Sequence, residues 1–195
     1  AEFAVFPECC VSGYPLKDLA SIKKFIESAQ AALQSLSGKL PIPAIVGCPR
    51  LEHGSAGVRN SAYLIDGGSI KKICDKHLLP NYGALNDARI FDPGSDFGLV
   101  KIRGKSIGVT ICEDIWTIPT IPTAGRYEYF PRPLEHFANL KKSDPSALDI
   151  LVNISASVFS SGNDTVRRKG GLMCEVSRFV GVPLVWCNLV GGNDE

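Results

Sequence analysis

Between Leu19 and Leu36 the apolar residues Leu19, Ile22, Phe25, Ile26, Ala29, Leu33 and Leu36 recur at three- and four-residue spacing. That period predicts one amphipathic helix, opened by Asp18 as its cap and stopped by Gly38. The other apolar runs are short and read as strands. Glu2–Phe6 ends at Pro7, and Ala44–Cys48 follows a proline-rich entry. Val58–Ile65 and Ser69–Cys74 flank the turn Asp66-Gly67-Gly68, while Gly98–Arg103 and Lys105–Ile111 flank Gly104. Further strands are predicted over Asp149–Ile154 and Pro183–Cys187. A short helix is predicted over Leu134–Leu140, and a second, weakened by Gly170-Gly171, over Asn163–Val180. Thr117–Pro133 carries four prolines and reads as a loop. Strands alternating with helices, some joined by tight turns, predict a layered α/β domain with a partly antiparallel sheet.

Composition narrows the class. With 195 residues, 45% of them hydrophobic, the chain can bury one sizeable core, so a single domain is expected. Its 21 basic and 20 acidic residues nearly cancel, which leaves no electrostatic footprint for nucleic acid or for an anionic membrane. The basic cluster Arg167-Arg168-Lys169 reads as a solvated helix face. No apolar stretch is long enough to span a bilayer and no signal peptide is recognisable, so a soluble cytoplasmic protein is expected. The seven cysteines form no C-x-x-C pair and the histidines His53, His77 and His136 are far apart. Neither a disulfide framework nor a metal site is expected. Gly98 to Ser106 imitates a phosphate-binding loop, but five residues separate its glycines where four are needed, and a strand follows in place of a helix.

Candidate chemistry gathers at strand ends. Cys112 closes the run Gly108-Val-Thr-Ile-Cys112, Glu8 follows the strand ending Val5-Phe6, and Lys76 follows the strand ending at Cys74. Free cysteine is usually a small core residue, and each of these three alone reads more readily as packing or a solvated charge. A thiol with a reference pKa of about 8.5 needs a base or a positive charge to act as a nucleophile. No histidine stands in a suggestive context, which leaves a carboxylate and a lysine as the partners.

Five stretches together carry a family resemblance. Phe6-Pro7-Glu8 with Ser12-Gly13-Tyr14-Pro15, Lys76-His-Leu-Leu-Pro80-Asn81-Tyr82-Gly83, and Ile111-Cys112-Glu113-Asp114-Ile115-Trp116 resemble the three signatures of the nitrilase, or carbon-nitrogen hydrolase, superfamily. Asn153-Ile-Ser-Ala-Ser157 and Asn188-Leu-Val-Gly-Gly-Asn-Asp-Glu195 narrow the resemblance to the glutaminase domain of glutamine-dependent NAD synthetases. The resemblance implies a four-layer α-β-β-α sandwich, a Glu8-Lys76-Cys112 triad, and Tyr82, Glu113 and Ser157 as contacts to the substrate's amino-acid end. It implies hydrolysis of the glutamine side-chain amide through a cysteine thioester, supplying ammonia for NAD synthesis from deamido-NAD. A stand-alone amidase on another small amide and a catalytically silent association module are the alternatives.

The resemblance further implies homo-oligomers and a synthetase domain or subunit that receives the ammonia. No Ser-Gly-Gly-x-Asp-Ser loop for ATP is found, so no cofactor is expected on this chain, ATP and deamido-NAD being left to the absent synthetase domain. Residues 1–195 are expected to form one glutaminase-like domain lacking the family's first and last strands. Departures from the family pattern fall at Asn86-Asp87, Val158 and Asn163, and are expected to bear on substrate grip more than on the triad.

Overall fold

The structure is a computed structural model and describes residues 1–52, 57–83, 85–118, 132–158 and 171–192. Eight strands form two four-stranded sheets among these residues. The first sheet takes the order β1 (Ala4–Val5), β2 (Ala44–Leu51), β3 (Val58–Asp66) and β4 (Ser69–Asp75). The second takes the order β5 (Gly98–Ile102), β6 (Lys105–Ile111), β7 (Ile150–Ser155) and β8 (Leu184–Asn188). β1 runs parallel to β2, and β2, β3 and β4 pair antiparallel. In the second sheet β5–β6 is an antiparallel hairpin, while β6, β7 and β8 are parallel. The stretch that imitates a phosphate-binding loop is therefore a hairpin, turned at Arg103 and Gly104, both with positive φ.

Side-chain alternation builds the layers. Ile45, Ala62 and Cys74 of the first sheet pack against Val100, Ile107, Val109, Ile111, Val152 and Ile154 of the second, so the two sheets lie face to face. On the outer face of the first sheet, Ala44, Val46, Tyr63 and Ile65 meet Ala29 and Leu33 of α1 (Lys23–Leu36). On the outer face of the second, Leu151 meets Leu134 and Phe137 of α3 (Pro133–Ser143) and Leu172, Val176 and Val180 of α4 (Leu172–Val180). The order of layers is α-β-β-α, as the resemblance implies. A short α2 (Asp87–Ile90) lies outside these layers, near the strand ends.

Two predicted elements change. The helix expected from Leu19 is a 3-10 turn over Lys17–Ser21, and Ile22 breaks it in an extended conformation before α1 begins. Asp18 lies inside that turn and caps nothing. A three-residue apolar recurrence fits a 3-10 turn as well as an α-helix, and Leu19 and Ile22 remain about half exposed. The helix expected over Asn163–Val180 is described from Leu172, opening after Gly171 and closing at the left-handed Gly181. Its first half lies outside the described residues, as do Arg167-Arg168-Lys169, His53, and the proline-rich loop from residue 119 to residue 131. No helix among the described residues is long and apolar enough to cross a membrane.

Candidate active site

Three chain segments leave their sheets at one end of the sandwich: the loop after β1, the loop after β4 and the turn after β6. They carry Glu8, Lys76 and Cys112. The first is admitted by a glycine. A Cβ on Gly47 of β2 would stand 2.5 Å from Cys9 N and Pro7 O, so the backbone around Glu8 lies directly on the strand. Alternation then sorts the second. Cys74 and Lys76 turn inward between the sheets, whereas Asp75 turns outward to the Arg50 guanidinium, with Nη2–Oδ2 at 2.7 Å.

The inward groups form one fully buried cluster. Lys76 Nζ donates to Glu8 Oε1 at 2.7 Å and to Asp87 Oδ2 at 2.6 Å, and none of the Lys76 side chain is exposed. Asn60 Nδ2 donates to the same Glu8 Oε1 at 2.7 Å, and Ala156 N donates to Oε2 at 2.8 Å. Tyr14 Oη donates to Asp87 Oδ1 at 2.8 Å, and its ring centroid stands 5.5 Å from Lys76 Nζ. Two carboxylates and one ammonium leave the cluster formally anionic. Burial pushes the Glu8 carboxyl above its usual range, Lys76 pulling it down and Asp87 pushing it up. Burial also works against the charge on Lys76, but the Glu8 and Asp87 carboxylates outweigh it and hold the ammonium protonated.

Cys112 opens a 3-10 turn, Cys112–Ile115, with φ of +44°. That left-handed backbone is uncommon for a side chain with a Cβ and turns the chain sharply at the strand end. The thiol is 3% exposed. Burial raises its pKa and Glu8 adds to the rise, while the Lys76 charge and a hydrogen bond from the Ala156 backbone favour the thiolate. The Ala156 N–H itself is bonded to Glu8 Oε2 at 2.8 Å.

Supports for this turn come from residues the sequence reading left aside. The buried Asp114 accepts from His77 N (3.0 Å), Leu78 N (2.9 Å) and Ile111 N (3.0 Å), tying the lysine loop to the cysteine turn. Asn153 Nδ2 donates to the Cys112 carbonyl at 3.3 Å and to Thr110 Oγ1 at 3.1 Å. Ser155 and Trp186 extend this buried chain of hydrogen bonds.

The expected substrate contacts are brought together in part. Tyr82 Oη lies 2.8 and 2.9 Å from the two oxygens of Glu113, whose side chain is buried. Ser157 follows Ala156, and its backbone is pinned by Asn188, which accepts from Ser157 N at 2.7 Å and donates to Ser157 O at 3.2 Å. Val158 is half exposed, and Asn163 lies outside the described residues.

One expectation is corrected. The departure at Asn86-Asp87 was assigned to substrate grip, but Asp87 is 1% exposed and binds Lys76 directly, so it belongs to the ionic cluster. Asp87 lies on α2 eleven residues beyond Lys76, and its apolar surroundings, Phe91 and Leu79 among them, come from different segments. Asn60, Asp114 and Asn153 were missed as well. All three are buried; of them Asn153, set in the apolar run Ile150-Leu-Val-Asn-Ile154, carried a signal in the sequence, whereas Asn60 stands beside Arg59 and Ser61 and Asp114 beside Glu113.

Comparison with known proteins identifies the family and the fold. The family model described as carbon-nitrogen hydrolase matches residues 1–123. A glutamine-dependent NAD(+) synthetase from Synechocystis sp. is 33% identical over 202 residues, covering 100% of this chain and 34% of that protein. Among solved structures, the glutamine-dependent NAD+ synthetase of Acinetobacter baumannii superposes with a TM-score of 0.78 at 26% identity, covering 100% of this chain and 33% of that one. An amidase of the nitrilase superfamily from Nesterenkonia sp. shares the fold, with a TM-score of 0.72 at 17% identity over 98% of this chain and 64% of that one. The chain thus spans about a third of the length of the synthetases it matches. With the family model matching well over half of its residues, the chain belongs to the carbon-nitrogen hydrolase family.

Proposed function

We propose that this chain hydrolyses the side-chain amide of glutamine through a thioester on Cys112 and hands the ammonia to a synthetase domain that makes NAD from deamido-NAD. The observation that carries the reading is the fully buried pair of Glu8 and Lys76, bonded at 2.7 Å, with the buried Cys112 within electrostatic reach of both. The synthetase relatives supply the choice of glutamine. ATP and deamido-NAD would bind that synthetase domain.

Each step has a group to perform it. Cys112 rests as a thiol, because burial and the Glu8 charge oppose its ionisation. Glu8, its pKa raised above the usual carboxylate range by burial, takes the thiol proton as the sulfur attacks the amide carbon. The C=O π electrons move onto oxygen, where the Lys76 ammonium and the Glu113 backbone N–H stabilise the oxyanion. A donor of this kind is worth about 3 to 4 kcal/mol. Collapse breaks the C–N bond, and protonated Glu8 returns its proton to the leaving ammonia. Water then attacks the thioester, Glu8 accepting its proton, and as the C–S bond breaks Glu8 returns that proton to the sulfur, releasing glutamate and restoring the free thiol. Tyr82, Glu113 and Ser157 would hold the amino-acid end of the substrate.

Intact-mass measurement with an electrophilic glutamine analogue tests the reading, alongside ammonia release from a panel of small amides. A single adduct absent from Cys112→Ala, together with a loss on the order of a hundredfold or more in Glu8→Gln, is expected. Ammonia release that favours another amide over glutamine would overturn the substrate, and an adduct retained in Cys112→Ala would overturn the nucleophile.

A further inference from the structure

Asn60 takes no part in the chemistry described above, although it is wholly buried at the centre of the cluster. We infer that Asn60, fixed in one orientation by Cys9, is a positioning residue that anchors Glu8 through Oε1 and so reserves Oε2 for the proton of Cys112. This rests on Glu8 being the base, as proposed above.

The division of labour follows from counting lone pairs. An ionised carboxylate offers about four acceptor positions, two on each oxygen. On Oε1 both are filled, by Lys76 Nζ at 2.7 Å and Asn60 Nδ2 at 2.7 Å. On Oε2 one is filled by Ala156 N at 2.8 Å. The position left among the described contacts is on Oε2. Without Asn60 the carboxylate plane is free to tilt about its terminal bond, since such torsions are broad, and the open position on Oε2 is no longer held in one direction.

Cys9 decides which way the Asn60 amide points. An asparagine side chain can present oxygen or nitrogen to a neighbour with little change of shape, and the partners choose. Cys9 Sγ lies 3.4 Å from Asn60 Oδ1. Burial and the Glu8 charge keep that sulfur protonated, hence a donor in need of an acceptor. With Oδ1 turned to Cys9, Nδ2 must face Glu8. Asn60 also fixes the lysine, because its backbone carbonyl accepts from Lys76 N at 2.8 Å. One residue of β3 therefore registers the loop after β1 against the end of β4.

The groups facing Glu8 are Lys76 from the end of β4, Asp87 from α2, Tyr14 and Cys9 from its own loop, and Cys112 from the turn after β6. Against that fixed background the Asn60 N–H favours the ionised carboxylate, so its removal makes Glu8 harder to ionise. In Asn60→Leu the acid limb of the pH profile is expected to move upward by about one pH unit, the worth of one hydrogen bond to a charged group. The accompanying loss in kcat is expected to be about tenfold or more, with KM little changed because Asn60 bonds Glu8, Cys9 and Lys76 and none of the residues proposed to hold the amino-acid end of the substrate.

The test is the pH dependence of Cys112 alkylation by a glutamine chloroketone, measured beside amide hydrolysis in the full-length protein and in Asn60→Leu, Cys9→Ala and Cys9→Ser. Support would be an upward shift in Asn60→Leu, a smaller shift of the same sign in Cys9→Ala, and return to the unmodified profile in Cys9→Ser, whose hydroxyl restores the donor. Uniform loss at every pH, with Cys9→Ser no better than Cys9→Ala, would mean that Asn60 merely packs and would overturn the inference. If Asn60→Leu does not fold, the Cys9 pair decides alone. Alkylation without glutamine hydrolysis in the unmodified protein would overturn the functional reading while the alkylation profiles still judged Asn60.

Discussion

Glu8, Lys76 and Asp87 share one buried volume, and the charges on Glu8 and Lys76 answer to their neighbours in it. Lys76 favours ionised Glu8, while Asp87 opposes it. Replacing Asp87 with asparagine removes that opposing charge, so Glu8 ionises more readily and the acid limb of kcat/KM should move to lower pH. This is opposite in sign to the shift expected for Asn60→Leu. Activity should fall all the same, on the order of tenfold to a hundredfold, because Lys76 Nζ loses the partner at 2.6 Å that aims it. A pH–rate profile of Asp87→Asn checks both statements, and a limb displaced to higher pH would show that Asp87 acts on Glu8 in some other way.

At the level of elements, the site depends on how closely a loop can lie on a strand. Gly47 of β2 passes beneath Pro7, Glu8 and Cys9, and a methyl group there would stand 2.5 Å from two backbone atoms of that loop. Neither the strand, paired on both sides by β1 and β3, nor the loop can yield without moving Glu8. Gly47→Ala should therefore lower kcat by about a hundredfold, as expected for displacement of a reacting group by roughly 1 Å. The loss of stability should be more modest, about 1 to 3 kcal/mol of overpacking. Steady-state kinetics and urea unfolding of the same variant separate the two effects. A variant that unfolds at low denaturant with normal kcat would contradict the account.

Across the whole molecule, the alternation that turns Lys76 inward turns Asp75 outward, into a network that holds the other face of the same sheet. Asp75 accepts from Arg50 Nε at 3.1 Å and Nη2 at 2.7 Å, with Ser61 and Lys72 adding further bonds. Burial would raise its pKa, but the Arg50 and Ser61 hydrogen bonds and the Arg50 charge outweigh this and hold the carboxyl below its usual range. A carboxyl whose pKa is depressed in the folded state binds its proton more readily when unfolded. Its stabilisation is present above the unfolded pKa, about 3.9, and is lost as pH falls through the folded value. Thermal melts of the unmodified protein should therefore fall steeply below about pH 4. Arg50→Ala, which strands a largely buried carboxylate, should cost about 2 to 4 kcal/mol at neutral pH and flatten the acid dependence. A parallel acid profile in the variant would remove Asp75 from the explanation.

What the sequence determined by itself was most of what is local or periodic: the strands of both sheets, the hairpin turns at Gly67-Gly68 and Gly104, the stops of the helices before Gly38 and Gly181, and Glu8, Lys76 and Cys112 at strand ends. Those signals are legible because a two-residue or three-to-four-residue period, or a glycine at a turn, acts within a few positions along the chain. The break at Ile22 was not legible, since a 3-10 turn and an α-helix share their apolar spacing. The tertiary structure alone decided which residues meet. Asp87 is a departure from a pattern in the sequence and an ion-pair partner of Lys76 in the fold. Asn60 is one polar letter among Arg59, Asn60 and Ser61 at the start of β3, and Ala156 carries no functional side chain at all, although its N–H binds Glu8. Glu8 and Ala156 are separated by 148 positions, and only the packing of one sheet on the other brings them within hydrogen-bonding distance.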